Sequence, residues 1–456
     1  MKKKTRFQKW WNSVFLRKGA EVRDRLRNSP FFKNVAESYF LRILQALVGL
    51  LGSILIARLL GPEGQGQYAA AFVLGTLGAQ FGNFGIHWAN NYYVAQNRNL
   101  LPKLMANSLW AGLVLGGFIV LILLAFFNFW PGTAPVNGTL LGIALAWIPL
   151  SLTYLLFQFL LVGIQKTTAN NAIELVGRIT KVLLMALLWM VGWAKVDSFL
   201  GAAFLSLAVC LFLNFTVLRK EFRETLRPSW ALFKAHMNYG FRAYFSAFFS
   251  FLVLRIDQLM VKYLAGAAQT GYYATAVSMG DAVSLLPAII SVVLFPKLSA
   301  MKNFEQKFNT AKKVTWMTAL VLVPLFLLAA ITAKPALRIM FGDRYIPSIG
   351  PLLLLLPGLY FLSIQWVLAR FLHSVGFPKL LIASWAIAAV FNITTNFWMI
   401  PHWGIKGASI SSSLTYFLVL VLTLGVVWHQ LHLKGKETRL KTLGKAGEEL
   451  AEGMMN

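Results

Sequence analysis

Residues 254–277 read LRIDQLMVKYLAGAAQTGYYATAV. An apolar segment carrying Arg255 and Asp257 runs to Lys262 and Leu264, crosses a short Gly/Ala stretch and restarts at Tyr272 and Tyr273. About two hundred residues earlier, 57–72 reads ARLLGPEGQGQYAAAF. Arg58 stands against Lys262, Gly61 against Gly266, Gly66 against Gly271 and Tyr68 against Tyr273, with a slip of one residue. A repeat of that size in an apolar chain points to two copies of one transmembrane bundle.

The composition agrees. Of 456 residues, 57% are hydrophobic and 13% charged, whereas soluble domains carry about 25% charged residues. Lys and Arg number 43 against 16 Asp and Glu, for a formal net charge of +27. The one cysteine, Cys210, lies in an apolar run, so no disulfide framework is expected.

Twelve runs are long enough to cross roughly 30 Å of hydrocarbon as helices. They fall near 36–60, 68–94, 103–130, 138–163, 171–193 and 197–218, then near 238–264, 271–297, 312–333, 347–374, 379–400 and 405–430. Strands of a membrane barrel would be about ten residues long with strict alternation, which these runs lack. With both termini cytoplasmic, the inner segments hold 30 Lys/Arg, the outer segments 7 and the spans 6. That bias is a positive-inside signal. The surplus charge therefore reports topology in the cytoplasmic membrane and contact with anionic membrane lipids, and no nucleic-acid partner is expected.

The expected architecture is an all-α polytopic membrane protein with two six-helix lobes. A basic amphipathic cytoplasmic segment (1–35) carries Trp10, Trp11, Val14, Phe15 and Leu16 on one side. The N-lobe (36–218) follows, then a basic cytoplasmic linker (219–237), the C-lobe (238–430) and a cytoplasmic tail (431–456). An even helix count per repeat gives both copies one orientation. The lobes should then be related by a pseudo-twofold axis along the membrane normal, with a cavity between them.

Several segments carry a resemblance: LGPEGQGQY at 60–68, AGAAQTGYYATA at 265–276, FGDRYIPS at 341–348, SVGFPK at 374–379 and IPHWGIKGASISSSLTY at 400–416. In this order and spacing they resemble the polysaccharide-transport flippases of the multidrug/oligosaccharidyl-lipid/polysaccharide exporter superfamily. The resemblance covers about 36–430. It implies alternating access that moves an isoprenoid-(di)phosphate-linked oligosaccharide from inner to outer leaflet, driven by membrane potential or an ion gradient. It also admits a cell-envelope polysaccharide polymerase or glycosyltransferase as partner. Where such proteins often carry Asp-Leu-Gly late in helix 2, this chain has Asn83-Phe84-Gly85.

A charge near mid-bilayer is costly and normally faces a cavity or a partner. Arg255 lies nine residues from the end of its run, roughly 13 Å at 1.5 Å per residue. It reads either as a phosphate-binding cation or as half of an interhelical ion pair. Glu174, Arg178 and Lys181 share one helix face, with Glu174 and Arg178 spaced as a helix pair. A diphosphate needs two or more cations, and Arg178, Lys181 and Arg255 would supply them from both lobes. Arg42 either guides a phosphate from the inner leaflet or snorkels to the headgroups. Arg242 and Arg370, close to the inner surface, read as snorkelling residues. Asp257, Asp281 and Glu174 are the coupling or counter-ion candidates. Gln80, Asn83, Gln158, Asn392 and Asn396 read as sugar contacts or interhelical hydrogen bonds. Gly75, Gly78, Gly82 and Gly85 form a packing face, and Pro149, Pro287, Pro324 and Pro357 are expected to kink their helices.

No enzyme is expected. A glycosyltransferase or polymerase needs carboxylates or His in a sizeable outer loop, and 334–346 offers Asp343 alone. No Walker motif is present, and His429-x-x-His432 lacks Cys or carboxylate companions, so neither a metal nor another cofactor is expected. The alternative function is a cation-coupled multidrug exporter of the same superfamily, whose cavity should carry excess carboxylate.

Overall fold

The computed structural model describes the backbone of residues 30–376 and 378–455, with the side chains of 37–38, 40–237, 240, 244–376 and 378–433. The amphipathic patch anticipated at Trp10–Leu16 and the tail side chains lie outside those residues. Among the described residues every regular element is helical. In order they are α1 (Pro30–Asn83), α2 (Ile86–Gln96), α3 (Leu101–Phe129), α4 (Gly138–Gly163), α5 (Thr167–Met190) and α6 (Val196–Arg219). The second half adds α7 (Trp230–Ala265), α8 (Ala267–Val283), α9 (Leu285–Ala300), α10 (Phe304–Phe341), α11 (Ile349–Ser374) and α12 (Lys379–Met455).

Apolar side chains leave the backbone no water to bond, so each long run satisfies its own N–H and C=O groups as a helix. Among the described residues, eight helices are long and apolar enough to cross a membrane, or nine if α8 and α9, bent by 46° at Ser284, form one span. Glycine supplies the sharp joints. α1 breaks at Gly61 (φ 68°, ψ −179°), α12 at Gly404 (φ 58°, ψ −140°), and α7 joins α8 through Gly266 (φ 90°, ψ 176°). Gly61 and Gly266, which align in the sequence repeat, thus take nearly the same conformation, one that a residue with a Cβ rarely adopts.

α4, α10 and α11 continue through Pro149, Pro324 and Pro357, and the α8–α9 break falls three residues before Pro287. The glycine face packs on α4: Gly75 against Trp147, Gly78 against Ile148 and Gly82 against Leu152.

Near the Gly61 and Gly266 joints the two halves of the chain meet backbone to backbone. A Cβ on Gly66 would overlap the Ala267 carbonyl, and one on Gly271 would overlap the Pro62 carbonyl. Beside this reciprocal contact, Thr275 Oγ1 donates to Gln65 Oε1 at 3.0 Å. Arg58 donates to the carbonyls of Met340, at 2.7 Å, and Ile339, and Tyr345 Oη donates to Ala57 O at 3.0 Å. At the opposite end Gly85 touches Gly240, and Tyr244 Oη donates to Gln80 O at 3.0 Å. There Glu221 also accepts from Arg98 at 2.5 Å and from Lys166, joining the α2–α3 and α4–α5 connections to the end of α6.

Candidate substrate cavity

A cavity of about 1770 Å³ lies between α2 on one side and α7, α11 and α12 on the other. It exceeds the roughly 300–1,000 Å³ of ordinary small-molecule pockets. One wall is a stripe on α2 of Trp88, Asn91, Tyr92, Ala95 and Gln96, a spacing that places them on one helical face. The facing wall is a stripe on α11, Gln365, Trp366, Arg370 and His373, continued by Lys379 at the start of α12. Gln96 and Lys379 are exposed, so the cavity reaches the surface at that end. Arg370 Nη2 lies 3.4 Å from Ser291 Oγ. Among the described lining residues there is no Asp or Glu. The cavity is a basic, partly aromatic chamber.

The charges singled out from sequence fall in four other places. On α7, Leu254 lines the cavity and Arg255 follows it. Arg255 Nη2 sits 3.4 Å from Asp281 Oδ2 of α8, with 35% and 56% of the two side chains exposed. Asp257, by contrast, is buried. Its carboxylate accepts from Tyr273 Oη at 2.5 Å, Ser412 Oγ at 3.1 Å and Gln258 N at 2.8 Å. Polar residues extend this network along α12, where Asn396 Nδ2 donates to Asn392 Oδ1 at 3.0 Å and Asn392 Nδ2 to Thr415 Oγ1 at 3.1 Å. The asparagines there bond to protein.

Glu174, Arg178 and Lys181 line a second pocket of about 250 Å³ with Tyr154, Gln158 and Cys210. The anticipated Glu174–Arg178 pair is not among the ion pairs within 4 Å of the described residues. Glu174 instead accepts from Gln158 Nε2 at 2.6 Å, and Arg178 Nη1 donates to Gln45 O of α1 at 3.3 Å. Arg178 and Lys181 lie against Gly49 and Gly52. The next residue, Ser53, bonds Ser278 at 3.1 Å, one turn before Asp281. Arg178 and Lys181 therefore stand beside α1 at the level where α8 brings the Arg255–Asp281 pair to it. Arg42 is exposed on α1, one turn before Gln45.

None of the seven charged candidates lines this 1770 Å³ cavity. Sequence reasoning missed Arg370, His373 and Lys379 as cavity residues; Arg370 faces the chamber, where depth along the helix had suggested a snorkelling side chain. One signal was available. Gln365, Arg370 and His373 recur at helical spacing within an otherwise apolar run.

Known proteins carry matching sequence and form. A putative O-antigen transporter of Shigella flexneri is 24% identical over 172 residues, which is 38% of this chain and 41% of that protein. The chain thus spans under half the length of that curated relative. Among solved structures, an inward-facing MATE family multidrug resistance transporter superposes with a TM-score of 0.66 at 14% identity, covering 86% of this chain and 96% of its own. The lipid II flippase MurJ, in an inward closed conformation, gives 0.64 at 17% identity, covering 86% and 87%. At such identities the likeness is one of fold. A family profile described as "Polysaccharide biosynthesis protein" matches residues 55–350. That match spans more than half of the sequence, and by it the chain belongs to the polysaccharide biosynthesis protein family.

Proposed function

We propose that the chain flips an isoprenoid-(di)phosphate-linked oligosaccharide from the inner to the outer leaflet of the cytoplasmic membrane by alternating access. The observation that carries this reading is the charge of the cavity: Arg370 and Lys379, with no carboxylate among the described lining residues. A diphosphate gains charge-assisted hydrogen bonds from such a wall, whereas an organic cation would meet repulsion. The multidrug-exporter alternative needs the opposite polarity.

The architecture proposed is twelve spans in two six-helix lobes, 36–218 and 238–430, with the linker 219–237 and both termini cytoplasmic. Glycine breaks in α1 and α12, which each divide one long helix into two, support that count. So does reading α8 with α9 as one bent span and the charged α5 as another. The positive-inside bias supports the orientation, which opens the cavity to the cytoplasm, and the basic loops suit anionic lipid there. The lobes would meet in pseudo-twofold fashion at the reciprocal Gly66 and Gly271 contacts. Substrate phosphate would first meet Arg370 and Lys379, entering past Arg42. It would then pass to Arg255, Arg178 and Lys181, with Asp281 and Glu174 as their counter-ions. Asp257, the buried carboxylate, is the coupling group through which membrane potential or an ion gradient acts. A cell-envelope polymerase or glycosyltransferase is a fitting partner.

The test is headgroup translocation in proteoliposomes with a short isoprenyl diphosphate-linked sugar, with and without an imposed potential. Wild type should flip it in a potential-sensitive way, and the Arg370→Gln/Lys379→Gln double variant should be slower by roughly a hundred- to ten-thousandfold, since each charged hydrogen bond contributes about 1.5–3 kcal/mol and two are removed. Gradient-driven efflux of an organic cation, with no flipping of any lipid-linked sugar, would move the chain to the drug-exporter class.

A further inference from the structure

The two walls of the cavity differ in chemistry. On α11 and α12 the side chains that reach into the chamber include three basic groups, Arg370, His373 and Lys379. On α2 they are aromatic and amide: Trp88, Asn91, Tyr92 and Gln96. The Trp88 indole is held from behind, with the Phe159 ring 5.2 Å away and nearly perpendicular at 73°, and the His87 ring at 5.1 Å. It nonetheless keeps 40% of its surface exposed. A large aromatic surface fixed by its neighbours and left open toward a chamber is prepared for a flat, C–H-rich partner.

We propose that this wall is a saccharide platform: Trp88 stacks on a sugar ring of the substrate headgroup, while Asn91 and Gln96 hydrogen-bond its hydroxyls. The proposal rests on the flippase reading and adds which wall takes which part of the substrate. The axial C–H bonds of a pyranose carry partial positive charge, and the face of an indole is the negative pole of its quadrupole. Equatorial hydroxyls project from the rim of the stacked ring. There amide side chains, each both donor and acceptor, satisfy them whichever way they point. On α2 Asn91 and Gln96 stand three and eight residues from Trp88 and share its helical face. The isoprenoid tail is the poorer occupant, since it would leave both amides unpaired, and the flanks of the bundle already offer it apolar surface, as at Leu113, Phe118 and Leu121. With diphosphate on the basic wall and sugar on the aromatic one, the headgroup would bridge the two halves of the chain. Stacking discriminates weakly among pyranoses, so the platform admits a class of sugars.

The experiment measures binding to the full-length chain in lipid nanodiscs free of sugar detergents. The probes are a short isoprenyl diphosphate, bare or carrying glucose, galactose or N-acetylglucosamine. Wild type should bind the best glycosylated probe more tightly than the bare one. Trp88→Ala should remove that gain, a loss of roughly three- to tenfold, with bare-probe affinity unchanged, and Trp88→Phe should restore most of it. Lys379→Gln should weaken all probes alike. A sugar gain absent in wild type, or intact in Trp88→Ala, overturns the platform while bare-probe binding leaves the flippase reading standing. Equal losses for bare and glycosylated probes in Trp88→Ala would assign the wall to the tail and also overturn it. Failure of every probe to bind wild type would overturn both readings.

Discussion

At the Gly61–Gly266 end, α1 and α8 approach until the main chain at Gly66 rests on Ala267 and that at Gly271 rests on Pro62. At the other end a chamber of about 1770 Å³ separates α2 from α11 and α12, and the halves touch through narrower contacts such as Gly85 on Gly240. One end closes by removing side chains; the other stays apart around large aromatic and basic ones. Contact between backbones is unforgiving, because any Cβ prevents it. A side-chain-lined chamber tolerates change in shape and responds to change in charge.

The sharpest way to break this contrast is Gly66→Val. Its side chain has nowhere to go, so the closed seam should part and transport should be lost. Cysteines at 65 and 275, whose native side chains lie 3.0 Å apart, report the seam: disulfide formation should be fast in the parent and slowed at least tenfold in the Gly66→Val background. Equal rates would show that the seam does not depend on the missing side chain.

Asp257→Asn is next in size. It keeps the shape of the Tyr273–Ser412 network but removes the charge that two hydroxyls and one amide N–H serve. Flipping should persist while its response to an imposed ion gradient falls several-fold, as proteoliposomes with and without the gradient would reveal. An unchanged response excludes Asp257 from coupling.

The smallest effect belongs to the chamber end. The hydrogen bond from Lys166, with the charges of Lys166 and Arg98 added, holds the Glu221 carboxyl below the ordinary carboxylate range against the opposing cost of burial. A carboxyl lowered on folding contributes stability above its unfolded value and loses it as pH falls through the folded one. Glu221→Gln should therefore cost less than about 1 kcal/mol at neutral pH, as expected for partly exposed pairs. Thermal unfolding curves of variant and parent should converge on acidification below the carboxylate range. A difference that grows with acid would contradict this.

The sequence made helices and joints legible because both are local. Gly61 and Gly266 could be paired by eye, and they share a backbone conformation. Apolar runs of sufficient length had to be helical. Charge placement was less legible. Arg370 and Arg255 each lie in an apolar helix, yet one lines the large chamber and the other meets Asp281. In a span that is apolar all round, periodicity does not say which face meets lipid and which a neighbour. Glu174 shows the same limit, since its spacing favoured Arg178 but Gln158 of α4 reached it first. The family's substrate chemistry pointed to deep cations; the chamber's own lie nearer its mouth.

The joint at Gly61 also has a mechanical meaning. The part of α1 before it, from Pro30, is a rigid rod of about 45 Å at 1.5 Å per residue. A turn of only about ten degrees at one glycine would sweep the far tip through roughly 8 Å on that rise, more than the width of a sugar ring, without bending the rod. Gly266 gives α7 the same kind of pivot at the same end. Small rotations of two residues would thus be geared into large displacements at the far ends of α1 and α7, with the fulcrum where the least space is available.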